Sequence, residues 1–205
     1  FIRDWWEVIY YKIKFNSKNV KDTYLAKWFP YNKGGDYRKW YGNDLTVIDW
    51  KNDGRDIKDT SEKSGHHYQE YSDNLKFRSM ITWTRISSNT PSFRYKNSGY
   101  LSDMAGFSIY PDSKNIMEIL GLCNSKVSLY FLEFLSPTIN YMLGQVLSLV
   151  FIKSNKIPTE LIENNVKIST QDWDAFETSW DFQKSPLLTQ NAVSLDQAYT
   201  NWSNE

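Results

Sequence analysis

One cysteine, Cys123, stands in 205 residues, which excludes a disulfide framework and a thiolate-based structural zinc site. Histidine occurs only as the adjacent pair His66 and His67 in the polar stretch from Ser61 to Glu70. Neighbouring side chains point apart on a helix, so the pair is read as a solvated loop and no metal site is expected. There is no G-x-G-x-x-G string and no phosphate-loop lysine motif. The longest apolar run, Leu143 to Ile152, is broken by Gly144, Gln145 and Ser148 and is too short to span a bilayer. The chain also lacks an initiator Met and a signal-peptide pattern, so it is expected to be cut from a longer protein. Net charge is zero, with 24 Lys and Arg against 24 Asp and Glu, which excludes a wholly basic nucleic-acid coat and an acidic tail.

What is abundant is the aromatic ring. At 17% aromatic, with nine Trp and 14 Tyr, the chain has enough to build cores, interfaces and platforms for flat ligands. Zero net charge also hides a division. Residues 1–110 carry 18 basic against 13 acidic side chains, and residues 111–205 carry 6 against 11. The stretch from Asn74 to Ser102 holds Lys76, Arg78, Arg85, Arg94 and Lys96 with no acid, interleaved with Trp83, Phe93, Tyr95 and Tyr100. A second basic knot is Lys33, Arg38 and Lys39 around Gly34 and Gly35, relieved by Asp36. Two readings stand side by side: a nucleic-acid surface, or solvated faces of strands.

The pattern predicts a strand over residues 1–15, a strand from Leu45 to Trp50 closed by a turn at Asn52–Asp53–Gly54, and one from Met80 to Ser87. Phe93–Arg94–Tyr95 is expected to pair with the last as a hairpin. Short strands are expected at Tyr100 to Met104 and Ser108 to Tyr110. From Ile116 to Leu135 apolar residues recur at helical spacing, in two pieces parted near Gly121 and Asn124, with Asn124 or Ser125 capping the second. Its face Ile119, Leu120, Cys123, Val127, Tyr130 and Phe131 is read as core, and Cys123 as a small buried hydrophobe. Val146 to Ile152 reads as a buried strand, Lys156 to Val166 as a short helix, and Ser169 as the cap of another before Trp173 and Phe176. Beyond Pro186 an extended tail is expected. The fold class is α+β: a mixed or antiparallel twisted sheet of short strands with packed helices over 1–155, and a C-terminal helical and extended segment over 156–205.

No catalytic constellation emerges. No two prolines are adjacent, so the Asn/Asp-Pro-Pro-aromatic loop of amino-methyltransferases is missing, and the acidic pairs Asp172 with Asp174 and Glu177 with Asp181 fit an exposed helical face. Several strings nevertheless resemble one family. Phe1–Ile2–Arg3–Asp4–Trp5–Trp6–Glu7–Val8 is similar to a Phe-x-Arg-x-Trp-aromatic-Glu-Val string of the PglX family, the adenine-specific DNA methyltransferases of BREX phage-defence systems. The run from Lys27 through Asn43, Val47 to Gly54, Ile81 to Ser88, Leu122 to Lys126, and Ile168 with Asp172 to Phe182 and Pro186 to Leu188 resemble further blocks. These span nearly the whole chain.

The resemblance implies a parent enzyme that uses S-adenosylmethionine to methylate the exocyclic amine of an adenine flipped from duplex DNA. This chain would lie after the catalytic domain, as the part that reads sequence. It would hold no catalytic residue, no cofactor and no metal of its own. The partners implied are double-stranded DNA, the catalytic domain of the same parent and other defence-system subunits, with no membrane, in a bacterial cytoplasm. The candidate DNA-binding residues are Lys33, Gly34, Gly35, Arg38, Lys39, Arg85, Ser87, Ser88, Asn89, Arg94 and Lys96. Glycines let backbone approach phosphates, Lys and Arg neutralise them, and Arg, Ser or Asn meet base edges. Asn32 and Asn43 are read as turn residues before base readers, and Trp28, Trp40, Trp50 and Trp83 as packing groups, with Tyr37 and Tyr41 capping the loop. Trp173, Phe176, Trp180 and Phe182 either dock on a partner or fold back on this domain. A carbohydrate-binding module and a protein-interaction domain are the alternative functions; the first needs an exposed coplanar row of rings.

Overall fold

The computed structural model describes residues 1–65, 72–88, 90–151 and 158–204. His66, His67 and Asn89 lie outside them. Two small sheets form the centre. The first takes β1 (Ile2–Asp4), β3 (Thr46–Asp49), β2 (Trp28–Asn32) and β6 (Leu101–Ser102) in that order, antiparallel except for the β2–β6 pair. The second orders β5 (Arg94–Lys96), β4 (Met80–Thr84) and β7 (Gly106–Ile109), all antiparallel. The chain is α+β, as the sequence pattern predicts, and β4 pairs with β5 in the expected hairpin.

β4 shows why the two sheets stay together. Successive strand side chains alternate between faces. Ile81 and Trp83 enter a cluster with Phe93, Phe107 and the helix residues Ile116, Leu120, Cys123 and Leu132. Met80 and Thr82 face the other way: the Ser102 hydroxyl donates to the Met80 sulfur at 3.0 Å, and Asn32 Nδ2 donates to Thr82 Oγ1 at 2.6 Å. Asn32 also donates to the Gly106 carbonyl at 2.9 Å. It is neither a turn residue nor a base reader but a buried amide in β2 that fastens the first sheet to the second.

The expected helix from 116 forms as α2 (Ile116–Asn124) and α3 (Lys126–Leu135), parted at Ser125. The Ser125 hydroxyl accepts from the Ser128 amide at 3.1 Å, the predicted cap. Leu120, Cys123 and Leu132 are buried, but Val127, Tyr130, Phe131 and Phe134 are exposed, Phe134 at 82%. The break at Ser125 turns α3 so that Ser128 and Leu132 face inward instead. α1 (Lys51–Ser64) follows β3 through Asn52, Asp53 and Gly54, all at left-handed φ, so the predicted turn is present and leads into a helix.

Other expectations are corrected. The strand over 1–15 stops at Asp4, because the Glu7 carboxylate accepts from the Asp4 amide at 3.0 Å and curls Trp5–Glu7 into a single 3-10 turn; a second follows at Tyr10–Lys12. Val146 lies in a short helix, α4 (Leu143–Leu147), rather than a strand, since the Gln145 side chain accepts from the Met142 amide at 2.7 Å and starts a turn. Ser169 sits inside α5 (Thr159–Asp174), which starts after Pro158 and needs no cap there. The tail is not extended: a 3-10 turn spans Pro186–Thr189 and α6 spans Leu195–Ser203, whose cap Ser194 accepts from the Gln197 amide at 3.2 Å. Ile162 of α5 joins the main cluster, and Trp180 is buried with Met80 and Tyr100.

Candidate nucleic-acid interface

The glycine loop starts where β2 ends. Gly34 and Gly35 have φ of 83° and 124°, a region in which L side chains are strained. Space is short as well: a Cβ on Gly34 would stand 3.1 Å from the Ala105 carbonyl oxygen, and one on Gly35 2.8 Å from Asn43 Nδ2, so the neighbours would have to shift. The loop is pinned from three sides. The Thr84 hydroxyl donates to the Gly35 carbonyl at 2.7 Å, Asn43 Nδ2 donates to the Asp36 carbonyl at 2.8 Å, and the Arg38 amide donates to Ser92 Oγ at 3.2 Å. Asn43 itself takes φ of 62°, a turn position as expected.

The end of β4 therefore meets this loop. Beyond Thr84, the Arg85 amide donates to the Ala105 carbonyl at 2.9 Å, in the turn that also touches Gly34. The half-buried Arg85 guanidinium donates from Nε to Asn140 Oδ1 at 3.2 Å and lies 5.7 Å from the centre of the Phe107 ring. It forms no ion pair with an acid among the described residues. Ser87 is tied by its amide to the Ile139 carbonyl at 2.9 Å, and Ser88 is exposed. Lys33 is exposed, and among the described residues it has no polar partner; Lys39 reaches the Asn124 carbonyl at 3.3 Å and, among those residues, no carboxylate. The two basic stretches that the sequence keeps some fifty residues apart (Thr84 to Gly35 spans 49) thus share one edge.

Three candidates leave that edge. Arg38 is committed elsewhere: its guanidinium pairs with Asp172 and lies 5.0 Å from the centre of the Trp173 ring, clamping α5 to the loop. Arg94 and Lys96 are fully buried. Arg94 donates to the Arg38 carbonyl at 3.2 Å and to Thr84 Oγ1 at 3.1 Å, so it braces the loop from behind. Lys96 donates to the Gly42 carbonyl at 2.6 Å and pairs with buried Asp44. Burial pulls Arg94 down to about 10 and Lys96 down to about 8, with Asp44 opposing both shifts. These cations are consumed inside the protein and do not face a ligand, which corrects the surface role expected of them.

The aromatic groups are likewise mostly internal. Trp50 and Trp83 are buried, and Trp28 and Trp40 are half-buried. Trp173 and Trp180 are buried against this chain's own front half; Trp180 packs 5.1 Å from Phe15, and Trp5 Nε1 donates to the Thr178 carbonyl at 2.9 Å. The fold-back alternative describes them. Burial lifts the Cys123 thiol to about 12, which suits a packing group and no nucleophile. Among the described residues no three His, Cys, Asp or Glu gather into a metal-holding group, and no helix is long and apolar enough to cross a membrane. Sequence reasoning missed one group, the lysines Lys12, Lys14, Lys27 and Lys51. The alternation of Lys12 and Lys14 with Tyr11 and Ile13 was the available signal, and it is equally the signal of a strand.

No family model matches the chain. It is 40% identical over 214 residues to "Adenine-specific methyltransferase PglX" of Lacticaseibacillus casei (strain Zhang), and 32% identical over 207 residues to "Adenine-specific methyltransferase BrxX" of Escherichia coli O9:H4 (strain HS). Both matches take in the whole chain but only 18% and 16% of the relatives, so it spans less than a fifth of their length.

Proposed function

From the premise that this chain belongs, as one segment, to the PglX family of adenine-specific methyltransferases, we propose that it is the DNA-recognition part of such an enzyme. It binds duplex DNA along the edge formed by Lys33, exposed Gly35, Lys39, Arg85, Ser87 and Ser88, with Gly34 buried behind it. Catalysis and S-adenosylmethionine belong to the remainder of a longer parent, which acts in phage defence. The observation that supports this reading is the Thr84–Gly35 hydrogen bond, which joins the glycine loop and the basic strand end into one surface. Lys33 and Lys39 supply phosphate neutralisation, the glycine backbone permits close approach, and Arg85 with Ser88 offers donors to base edges.

The test is fluorescence anisotropy of the 205-residue chain on a mixed-sequence duplex across a salt series. Binding should weaken along a log–log slope of about −0.9 for each neutralised phosphate, and Lys33→Ala/Lys39→Ala should flatten it by roughly 2. A slope unchanged by that pair, or no binding at low salt, refutes the assignment.

A second reading rests on α3. Val127, Tyr130, Phe131 and Phe134 form an exposed apolar face, with Ile139, Leu143 and Leu147 also exposed beyond it. A face of this kind suits a protein partner, and the remainder of a longer methyltransferase chain is the partner proposed, because over four-fifths of each relative lies outside the matched segment. Tyr130→Ser/Phe134→Ser should abolish co-purification with that remainder while leaving duplex binding intact; unchanged co-purification rejects this reading.

A further inference from the structure

A cleft of about 460 Å³ opens at the other end of β2, walled by Tyr11, Lys12, Lys14, Tyr24, Lys27 and Lys51. Among the described residues no acidic side chain lines it. Its frame is backbone: the Lys14 amide donates to the Trp28 carbonyl at 2.8 Å, and the Trp50 amide donates to the Lys27 carbonyl at 3.0 Å. Those bonds hold three chain segments, and with them four lysines, around one opening. Lys27 pairs with Asp49 at 3.3 Å and the Lys51 amide donates to the same carboxylate at 3.4 Å, whereas the ammonium groups of Lys12, Lys14 and Lys51 form no ion pair among the described residues. The four lysines are all exposed. The larger cleft of about 880 Å³ beside Lys18, Arg78 and Lys114 differs, since Asp112 and Glu163 share its wall and its field is mixed.

Two rings stand at the mouth with their surface unburied: Tyr11 is 82% exposed and Tyr24 62%. Neither makes a ring contact within the described residues. Leaving two large amphipathic rings in water beside free ammonium groups gains nothing for folding. The pairing of aromatic faces with phosphate-neutralising lysines is the chemistry of single-stranded nucleic acid, whose bases stack on rings while its backbone follows a positive groove. A closed duplex hides its base faces, so the tyrosines add nothing to its binding.

We infer that this cleft binds an unpaired nucleic-acid strand, with bases on Tyr11 and Tyr24 and phosphates on Lys12, Lys14 and Lys51. It is separate from the edge proposed for duplex DNA. Lys27 precedes β2 and Lys33 follows it, so the two sites lie about 20 Å apart at ~3.3 Å per strand residue. The inference extends the DNA-recognition reading to a second form of the same ligand, but it rests on its own residues.

Anisotropy with a labelled oligothymidylate and with a mixed-sequence duplex, in parallel, tests it. Tyr11→Ala/Tyr24→Ala should weaken the single strand by about fivefold to a hundredfold, from base–ring stacking, and leave duplex affinity unchanged. Tyr11→Phe/Tyr24→Phe should restore the single strand, because a ring and not a hydroxyl is required. Lys12→Ala/Lys14→Ala should reduce the salt slope for the single strand, and Lys33→Ala/Lys39→Ala should not. Single-strand binding that is absent or indifferent to the tyrosine pair overturns the inference, as does an equal loss on duplex. A duplex affinity indifferent to Lys33→Ala/Lys39→Ala instead refutes the recognition edge and leaves the cleft standing. All the substituted side chains are exposed or half-buried surface groups, and a thermal melt of each variant excludes misfolding as the cause of any loss.

Discussion

Replacing Lys96 by Met should cost this protein far more than its removal of one cation suggests. Lys96 and Asp44 are both interior, with side chains 0% and 1% exposed, and they pair directly. Met keeps the length of the lysine stem but abandons Asp44 in a medium that solvates charge poorly. Removing one partner of such a pair costs about 3–5 kcal/mol, equivalent to a fall in melting temperature of roughly 6–20 °C for a chain of this size. Asp44→Asn should cost less, and Lys96→Met/Asp44→Asn should fall short of the sum by about 2 kcal/mol, since each single change already destroys the shared interaction. Urea denaturation of the four proteins gives the cycle. Burial pulls the Lys96 ammonium down while Asp44 opposes the shift. A single-variant loss under about 1 kcal/mol would refute the reasoning.

Two further outcomes follow from the loop. Gly106→Ala should destabilise the chain by about 2 kcal/mol and weaken duplex binding, because the new Cβ would stand 2.6 Å from the Gly34 nitrogen and 2.7 Å from Asn32 Nδ2; unaltered denaturation and anisotropy would contradict it. Arg38→Ala should lower the melting point by loosening α5, through loss of Asp172 and Trp173, without changing the salt slope for duplex DNA; a flatter slope would return Arg38 to the interface.

Much of the architecture was legible where a signal is local. The β4–β5 hairpin announced itself by alternation and by Asn89–Thr90–Pro91, and the break between α2 and α3 by Asn124–Ser125. The glycine loop was legible for the same reason. What failed was decided at a distance. Arg94 and Lys96 alternate with Tyr95 just as exposed cations do, and nothing nearby says that Asp44, 52 residues earlier, lies opposite in the interior. Tyr130 and Phe131 keep the period of a buried face, yet the turn at Ser125 swings that face outward. At the amino terminus a single Asp4–Glu7 bond outweighed a strongly β-forming composition, and the lysines that it leaves beside Tyr11 escaped notice with it.

The pinning of the glycine loop bears on how binding would look in a calorimeter. Its backbone is held by Thr84, Asn43 and Ser92 before any ligand arrives. A loop already in one conformation surrenders little chain entropy on contact, so association through it carries a small ordering penalty. The heat-capacity change should then match the contact area alone, with no added folding term. Sequence preference would be retuned by exchanging exposed groups such as Lys33 and Ser88 on a fixed scaffold, while inserting residues between Gly34 and Asn43 would unmoor the scaffold itself.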